Sequence, residues 1–430
     1  MIQLSKRLLL IFITILAFTC CQRPQVEPNQ TSGSAYSYLA TVADQFHSVT
    51  IFDAPSGADS NKSRDALNFL LSYKTIASDN AFDIVMQNVA FTYDNAVAAL
   101  AFIAAKDKQR AKQVVDTFIY AQNHDRFYKD GRIRNAYWGD KKVSRRGNIP
   151  LPGWFNLETG RWTEDEYQVS SHTGSVAWAM LALLGYYDTF GGESYLAVAK
   201  NMGAWVENNC RDSRGGGGYM AGFSGWEPTP TLLTEKATEH NLDLYAAFER
   251  LYLITGDQVW RDRAIHAKNF VISMWDKVDK KFWTGTWPDG VTINKDVIPL
   301  DVQAWAILAL RDAGKPYWQS LEYAQKYHRV GQGFDYNQDR DGIWYEGTAH
   351  MAVAYQLTNQ PQNSSILIST IKAAQDSSGG IPAADRDKLT TGFSAAGSQP
   401  WFYFHRLHVG ATAWFVLAEK KVNPFWLGSN

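Results

Sequence analysis

The chain has 430 residues, is 45% hydrophobic and carries a formal net charge of −1. That suits a large soluble core and lacks the basic excess that nucleic-acid binding requires. Aromatic residues make up 14%, with 16 Trp and 21 Tyr, and several stand in Gly-rich stretches, where flat apolar faces can stack on sugar rings as well as fill a core.

In chain order, Lys6 and Arg7 precede the apolar run LLLIFITILAF, followed by Thr19, Cys20 and Cys21. The run is too short for a membrane span and reads as a processing signal over 1–21. It resembles a bacterial lipoprotein signal, which implies lipid on Cys20 or Cys21, export and anchoring in the cell envelope. QRPQVEPNQTSGS behind it is polar, so residues 22–40 are expected to form a flexible tether and 41–430 a single catalytic domain. Cys210 has no obvious partner, so disulfides do not hold the fold.

Six oily segments then recur: YDNAVAALAFIAA from Tyr93, HTGSVAWAMLALLGYY from His172, EHNLDLYAAFERLYL from Glu239, LDVQAWAILALRDAG from Leu300, EGTAHMAVAYQL from Glu346 and HVGATAWFVLAEK from His408. Five are followed by a more polar helix, and SRDALNFLLSYKTI is the expected sixth partner. Helices apolar all round belong inside, and helices with one apolar stripe belong outside. Six of each, alternating, predict an all-α (α/α)6 toroid. DGRIRNAYWGD, GGGGYMAGFSGWEP, KFWTGTWPDGV and GFDYNQDRDGIWYEGT, set before inner helices, predict short β-hairpins at one rim, with GGGG as a flexible turn.

Inner helices that start at one rim bring their first residues to one mouth. Those are Asp94, His172, Glu239 with His240, Asp301, Glu346 and His408. Helix capping or dipole compensation accounts for each acid singly, and core hydrogen bonding accounts for His172 and His408. Four carboxylates at the same end of four helices favour a shared site, since Ser or Thr would cap equally well.

With those residues in place, the chain resembles the six-hairpin glycosidase superfamily, glucoamylase-like and cellulase-like toroids, over roughly 60–425. The resemblance implies inverting glycoside hydrolysis, in which one carboxylic acid protonates the leaving oxygen and one carboxylate activates water. Glu346 or Glu239 is the expected acid, with Trp344 and Tyr345 raising the pKa of Glu346. Asp94 or Asp301 is the expected base, ionised at a helix N-terminus. Tyr93, Asn95, His172, His240, Asn241, Gln303, His350 and His408 are the polar residues expected around the substrate. Trp154, Trp226, Trp287, Trp344 and Trp401 are the candidate stacking platforms.

Other readings stay open. KATEHNLDLYAAF is also similar to sugar-epimerase helices of this barrel type, in which a His transfers the proton. A lyase needs a positive cleft, for which Lys236, Arg132, Arg134 and Arg406 are candidates, with Tyr93 or His240 as base. A non-catalytic glycan-binding lipoprotein is the third. Asp335, Asn337, Asp339 and Asp341 alternate like calcium-loop ligands with Glu346 at the twelfth place, but Arg340 replaces the required Gly, and a polar turn explains the stretch more simply. No HExxH, Walker or dinucleotide pattern is present. The expected partners are carbohydrate and a lipid anchor, without nucleic acid or obligatory cofactor, in a monomer.

Overall fold

The computed structural model describes residues 33–45, 68–139, 148–395 and 399–428. The signal segment with Cys20 and Cys21, and the tether up to residue 32, lie outside the described residues. None of the described helices is long and apolar enough to cross a membrane.

Helices α1 (Ala35–Asp44) and α2 (Ala81–Met86) precede a regular alternation. The inner helices are α3 (Thr92–Ala104), α6 (Thr173–Phe190), α8 (Thr238–Thr255), α10 (Leu300–Leu310), α12 (Tyr345–Leu357) and α14 (Val409–Glu419). The outer ones are α4 (Lys108–Asn123), α7 (Glu193–Cys210), α9 (Gln258–Ser273), α11 (Gln319–Tyr327) and α13 (Pro361–Ala373). A single turn, α5 (Glu166–Val169), precedes α6. Each inner helix packs on the next, and α14 packs back on α3. The ring is closed: an (α/α)6 toroid, as the repeat predicts. Alanines dominate the inner contacts, letting backbones approach closely, and nearly every residue of α10 and α14 is buried.

The sixth outer helix is not the expected one. α1 takes that place, packing on α14 and α3, so ordered structure begins within the stretch assigned to the tether. The described part of SRDALNFLLSYKTI is extended instead. Asn95 accepts from Leu70 N (2.7 Å) and donates to Leu70 O (3.0 Å), and Tyr73 bridges to His408, so its apolar residues are used flat against the inner ring.

The rim carries antiparallel pairs. β1 (Val89–Phe91) pairs with β2 (Ala136–Trp138), and β3 (Trp154–Asn156) with β4 (Arg161–Thr163). β5 (Ser171–His172), β6 (Gly222–Ser224) and β7 (Thr231–Leu233) form a three-stranded sheet. Four more pairs follow: β8 (Trp275–Asp276) with β9 (Lys281–Phe282), β10 (Gly285–Thr286) with β11 (Ile293–Asn294), β12 (Arg329–Val330) with β13 (Gly333–Phe334), and β14 (Leu389–Ala395) with β15 (Gln399–Tyr403). The GGGG turn is packed rather than loose: a Cβ at Gly218 would stand 2.6 Å from Phe270 Cβ, and buried Lys236 donates to the carbonyls of Arg214 (2.7 Å) and Gly217 (2.8 Å).

The opposite end is plugged. A 3-10 turn, Pro424–Trp426, touches α3, α6, α8 and α10. Fully buried Arg250 reaches Asp188 (2.8 Å) and the carbonyl of Leu427 (2.8 Å), tying this turn to the ring.

Candidate active site

Near the start of the inner helices stand Asp94, the third residue of α3, and the second residues Gly174, Glu239, Asp301, Glu346 and Gly410; the sixth residue is Val97, Trp178, Asp243, Trp305, His350 or Trp414. Residues three or four apart share a helix face, so these form two rings around the axis, acids above and mostly aromatics below. The two glycines make room. A Cβ on Gly410 would meet Asp94 Oδ1 at 2.7 Å and Glu346 Oε2 at 3.1 Å, and one on Gly174 would meet His240 Nε2 at 2.8 Å.

Helix capping does not account for the acids. α3, α8, α10 and α12 lack any side-chain cap, whereas outer α4 and α9 are capped by Asp107 and Asp257. The inner carboxylates are directed instead at one another's partners. His408 Nε2 lies 3.1 Å from Asp94 Oδ2, and its Nδ1 lies 3.5 Å from Glu346 Oε2. Tyr93 OH donates to Glu346 Oε1 and accepts from Trp414 Nε1 at 2.8 Å. Burial pushes the His408 imidazole down, but Asp94 outweighs it and raises the pKa. The raised pKa favours the charged ring, whose Nε2 donates to Asp94, while in the neutral form Nδ1 is placed to accept from Ala411 N at 3.3 Å. Burial likewise opposes ionisation of Glu346, yet its histidine and tyrosine neighbours hold the pKa below the ordinary value. His350, whose own pKa burial lowers, stands 3.6 Å from Glu346 Oε1 and is the first of the neighbours that lower the carboxyl pKa.

The second acid pair behaves oppositely. Burial and the neighbouring Glu239 hold the pKa of Asp301 well above the carboxylate range. Burial raises that of Glu239 too, but His240 (Nε2 to Oε1, 3.3 Å) and a hydrogen bond with Asp301 lower it overall. The pair shares one proton, carried by the more buried Asp301. The Glu239 side chain keeps 32% of its surface accessible, so the hollow lies against it. One turn below, Asp243 is held neutral by burial and by these two acids, with Oδ1 unpartnered.

The floor is aromatic. Trp178 and Trp305 lie 5.2 Å apart between centroids, Trp414 stacks on Trp305 at 6.2 Å, and Phe425 underlies Trp178 at 4.9 Å. The walls are tyrosines. Tyr73 stacks on His408 (4.3 Å), and Tyr167 is edge-on to both His172 and Trp401 (5.0 Å each). Burial holds the phenol of Tyr167 protonated, aided by Glu239 and Asp94, and that of Tyr336, aided by Asp301, Glu239 and Glu346. Both rings therefore stand within the field of Glu239.

No family model and no curated protein matches the chain. Solved structures do match across the barrel. A glycosidase aligns with a TM-score of 0.59 at 10% identity, over 90% of this chain and 95% of its own. Cellobiose 2-epimerase from Bacillus thermoamylovorans aligns at 0.57 and 15%, over 83% and 93%, and an alpha-amylase from Clostridium perfringens at 0.55 and 11%, over 83% and 91%. The chain shares their fold. At such identities the likeness is one of architecture, and residue roles rest on the geometry above.

The geometry corrects several expectations. Asn95, Asn241 and Gln303 do not face a ligand: all three are buried and bond the backbone around Leu70, Tyr219 and Phe282. Tyr93 and buried His350 serve Glu346, and Trp344 is buried, stacked on Tyr403 at 5.5 Å. Trp401 keeps its place at the mouth. Trp154 is half-buried on β3, while Trp226 and Trp287 are exposed on rim loops. His172 and His240 remain in the hollow. Of the alternatives for acid and base, Glu346 is shifted toward the ionised form because His350, His408 and Tyr93 outweigh its burial, and Asp301 toward the protonated form because Glu239 adds to its burial. The candidate lyase cations are committed elsewhere: Arg132 to Asp130, Arg134 to Asp125, Lys236 to Asp212 and Arg406 to Asp83. Carboxylate oxygens of Asp335, Asp339 and Asp341 do lie within 4.8 Å of one another. The calcium-loop frame is not formed, since Glu346 turns to Tyr93 and Asn337 accepts from Asp339 N (2.7 Å). Burial and Asp339 push Asp335 up to about 8, and the stretch reads as a polar turn.

The sequence reading missed Asp243, Trp178, Trp305 and Trp414. Their signal was present as the position four residues after each helix's second residue. The tyrosines Tyr73, Tyr167, Tyr336 and Tyr403 come from irregular segments, where no periodicity marks them.

Proposed function

We propose that the protein is a glycoside hydrolase acting on a poly- or oligosaccharide with inversion. One observation carries this reading: two carboxylate pairs at one mouth, one in which Glu239 and Asp301 share a proton and one in which Glu346 is held below the ordinary carboxylate value. Environments that push neighbouring carboxyl groups apart assign acid and base. The Glu239–Asp301 pair supplies its proton to the glycosidic oxygen through the accessible Glu239 side. Glu346 takes a proton from water, whose oxygen attacks the anomeric carbon from the opposite face as the carbon–oxygen bond to the leaving sugar breaks. Asp94 acts behind His408, holding it charged and oriented. Solvent exchange then restores both pairs.

The test is Glu239→Gln and Glu346→Gln, each assayed on a polysaccharide panel for reducing-sugar release. Each is expected to lose at least about 100-fold in turnover with unchanged thermal unfolding, and the wild type to release the inverted anomer first by proton NMR. Full activity in both variants would sink the assignment.

A second reading has its own support. His172 and His240, with ring centroids 6.3 Å apart beside Glu239, offer two imidazoles of the kind that proton removal and return at a sugar carbon require. Burial and His240 push His172 down to about 3, keeping it a free base. Deuterium uptake at C2 of a reducing sugar in heavy water, without chain cleavage, would favour epimerisation.

The signal-like N-terminus supports export with a lipid anchor, and the exported chain is proposed to be a monomer. Fatty-acid labelling of Cys20→Ser and Cys21→Ser variants identifies the anchored residue, and light scattering of the soluble chain gives its state.

A further inference from the structure

We propose that an open groove on the rim, between the β3–β4 hairpin and the loop after β6, binds neutral pyranose units of the glycan chain outside the acid mouth. This extends the glycosidase reading and rests on it. The groove encloses about 470 Å³ and is lined by Thr159, Arg161, Trp162, Thr163, Glu164 and Trp226, a size in the range of ligand sites. Trp162 and Trp226 are 48% and 43% exposed, a large apolar area to leave in water twice in one concavity. Trp162 is backed face-to-face by Trp138 at 5.5 Å and 17°.

Both walls are held from below by one guanidinium. Arg126 forks onto Glu164 (2.5 and 2.8 Å) and also donates to Glu227, next to Trp226. Ser170 Oγ accepts from Gly225 N at 2.9 Å, fixing the other side of Trp226. The indoles therefore sit on a preorganised frame, so binding orders little. Indole faces flanked by two threonine hydroxyls and an exposed guanidinium match a sugar ring, which presents an apolar face edged by hydroxyls. Glu164 is neutralised by Arg126, so the groove lacks the multiple cations that an acidic chain demands. The chain that lines it leads on to the candidate site: three residues after Glu164, Tyr167 stands against His172.

The test compares wild type with Trp162→Ala, Trp226→Ala and the double variant in two independent arms. In native gels containing glucan, mannan or starch, at least one polymer should retard the wild type, and the double variant should lose that retardation. Absence of retardation by every neutral polymer, or equal retardation of the double variant, overturns the groove whatever the catalytic outcome. On cello-, manno- or malto-oligosaccharides of two to six units, the variants should match wild type on the shortest substrate cleaved. On the hexamer they should show a KM raised about fivefold or more at unchanged kcat. An equal KM on the hexamer overturns the proposal while leaving the hydrolase reading intact. Cleavage of nothing by wild type sinks the hydrolase reading but leaves the gel arm decisive for the groove.

Discussion

At the scale of single residues, His408 is the hinge of the acid–base assignment. Its raised pKa places a cation between Asp94 and Glu346, which favours the ionised form of Glu346. Falling pH protonates the base and rising pH strips the shared proton from Glu239–Asp301, so activity should follow a bell. In His408→Asn the cation is gone, and the acidic limb of kcat/KM should move to higher pH while the alkaline limb stays. An unmoved acidic limb would assign the base elsewhere. Asp243 gives a stability prediction with a definite sign. Its folded pKa is raised well above the ordinary value, so the unfolded chain releases this proton with rising pH while the folded one keeps it. Stability from this group is complete below the ordinary carboxylate range and declines as pH rises toward the folded pKa. Asp243→Asn removes the penalty, so its Tm relative to wild type should be higher at pH 8 than at pH 4. A constant difference would mean that Asp243 is ionised in the folded protein.

At the scale of elements, the fourth residue of an inner helix is a clamp. Asn95, Asn241, Gln303, Thr348 and Thr412 each bond a backbone group of the rim segment above, and α6 alone has an apolar Val176 there. Asn241→Leu would strip the amide from Tyr219 N–H and Tyr219 C=O, at about 1–3 kcal/mol per buried group. Thermal unfolding should register that loss, and an unchanged Tm would mean that water replaces the amide. The clamp explains what was and was not readable from the chain. Ala-rich runs such as LDVQAWAILAL announce an inner helix because burial on all sides leaves no polar face. An acid at the second or third position announces the mouth because those helices carry few other charges, Asp243, Glu249 and Arg250 of α8 being the exceptions. An amide one or two residues later announces only that it needs partners, and backbone partners satisfy it as well as a sugar would. α1 was hidden for another reason: AYSYLATVAD is short and follows a polar stretch, so its apolar side shows only against α14.

At the scale of the whole molecule, closure of the ring sets the site. The six inner helices meet side by side, and the C-terminal turn fills the end away from the rim. Phe425 is fully buried beneath Trp178 and Trp305. Phe425→Ala should cost about 3–5 kcal/mol, measured by denaturant unfolding. Activity at low temperature should fall as well, because the indoles above lose their support. Retained activity with normal stability would mean that the floor carries itself.

That floor also governs traffic. With Trp178, Trp305 and Trp414 meeting over Phe425, the described barrel is a blind alley with a single doorway. Whatever reaches the acids must back out the way it came. A departing fragment and an arriving one therefore contend for the same passage, and end product added at the start should slow turnover by competing with substrate rather than by acting at a distance.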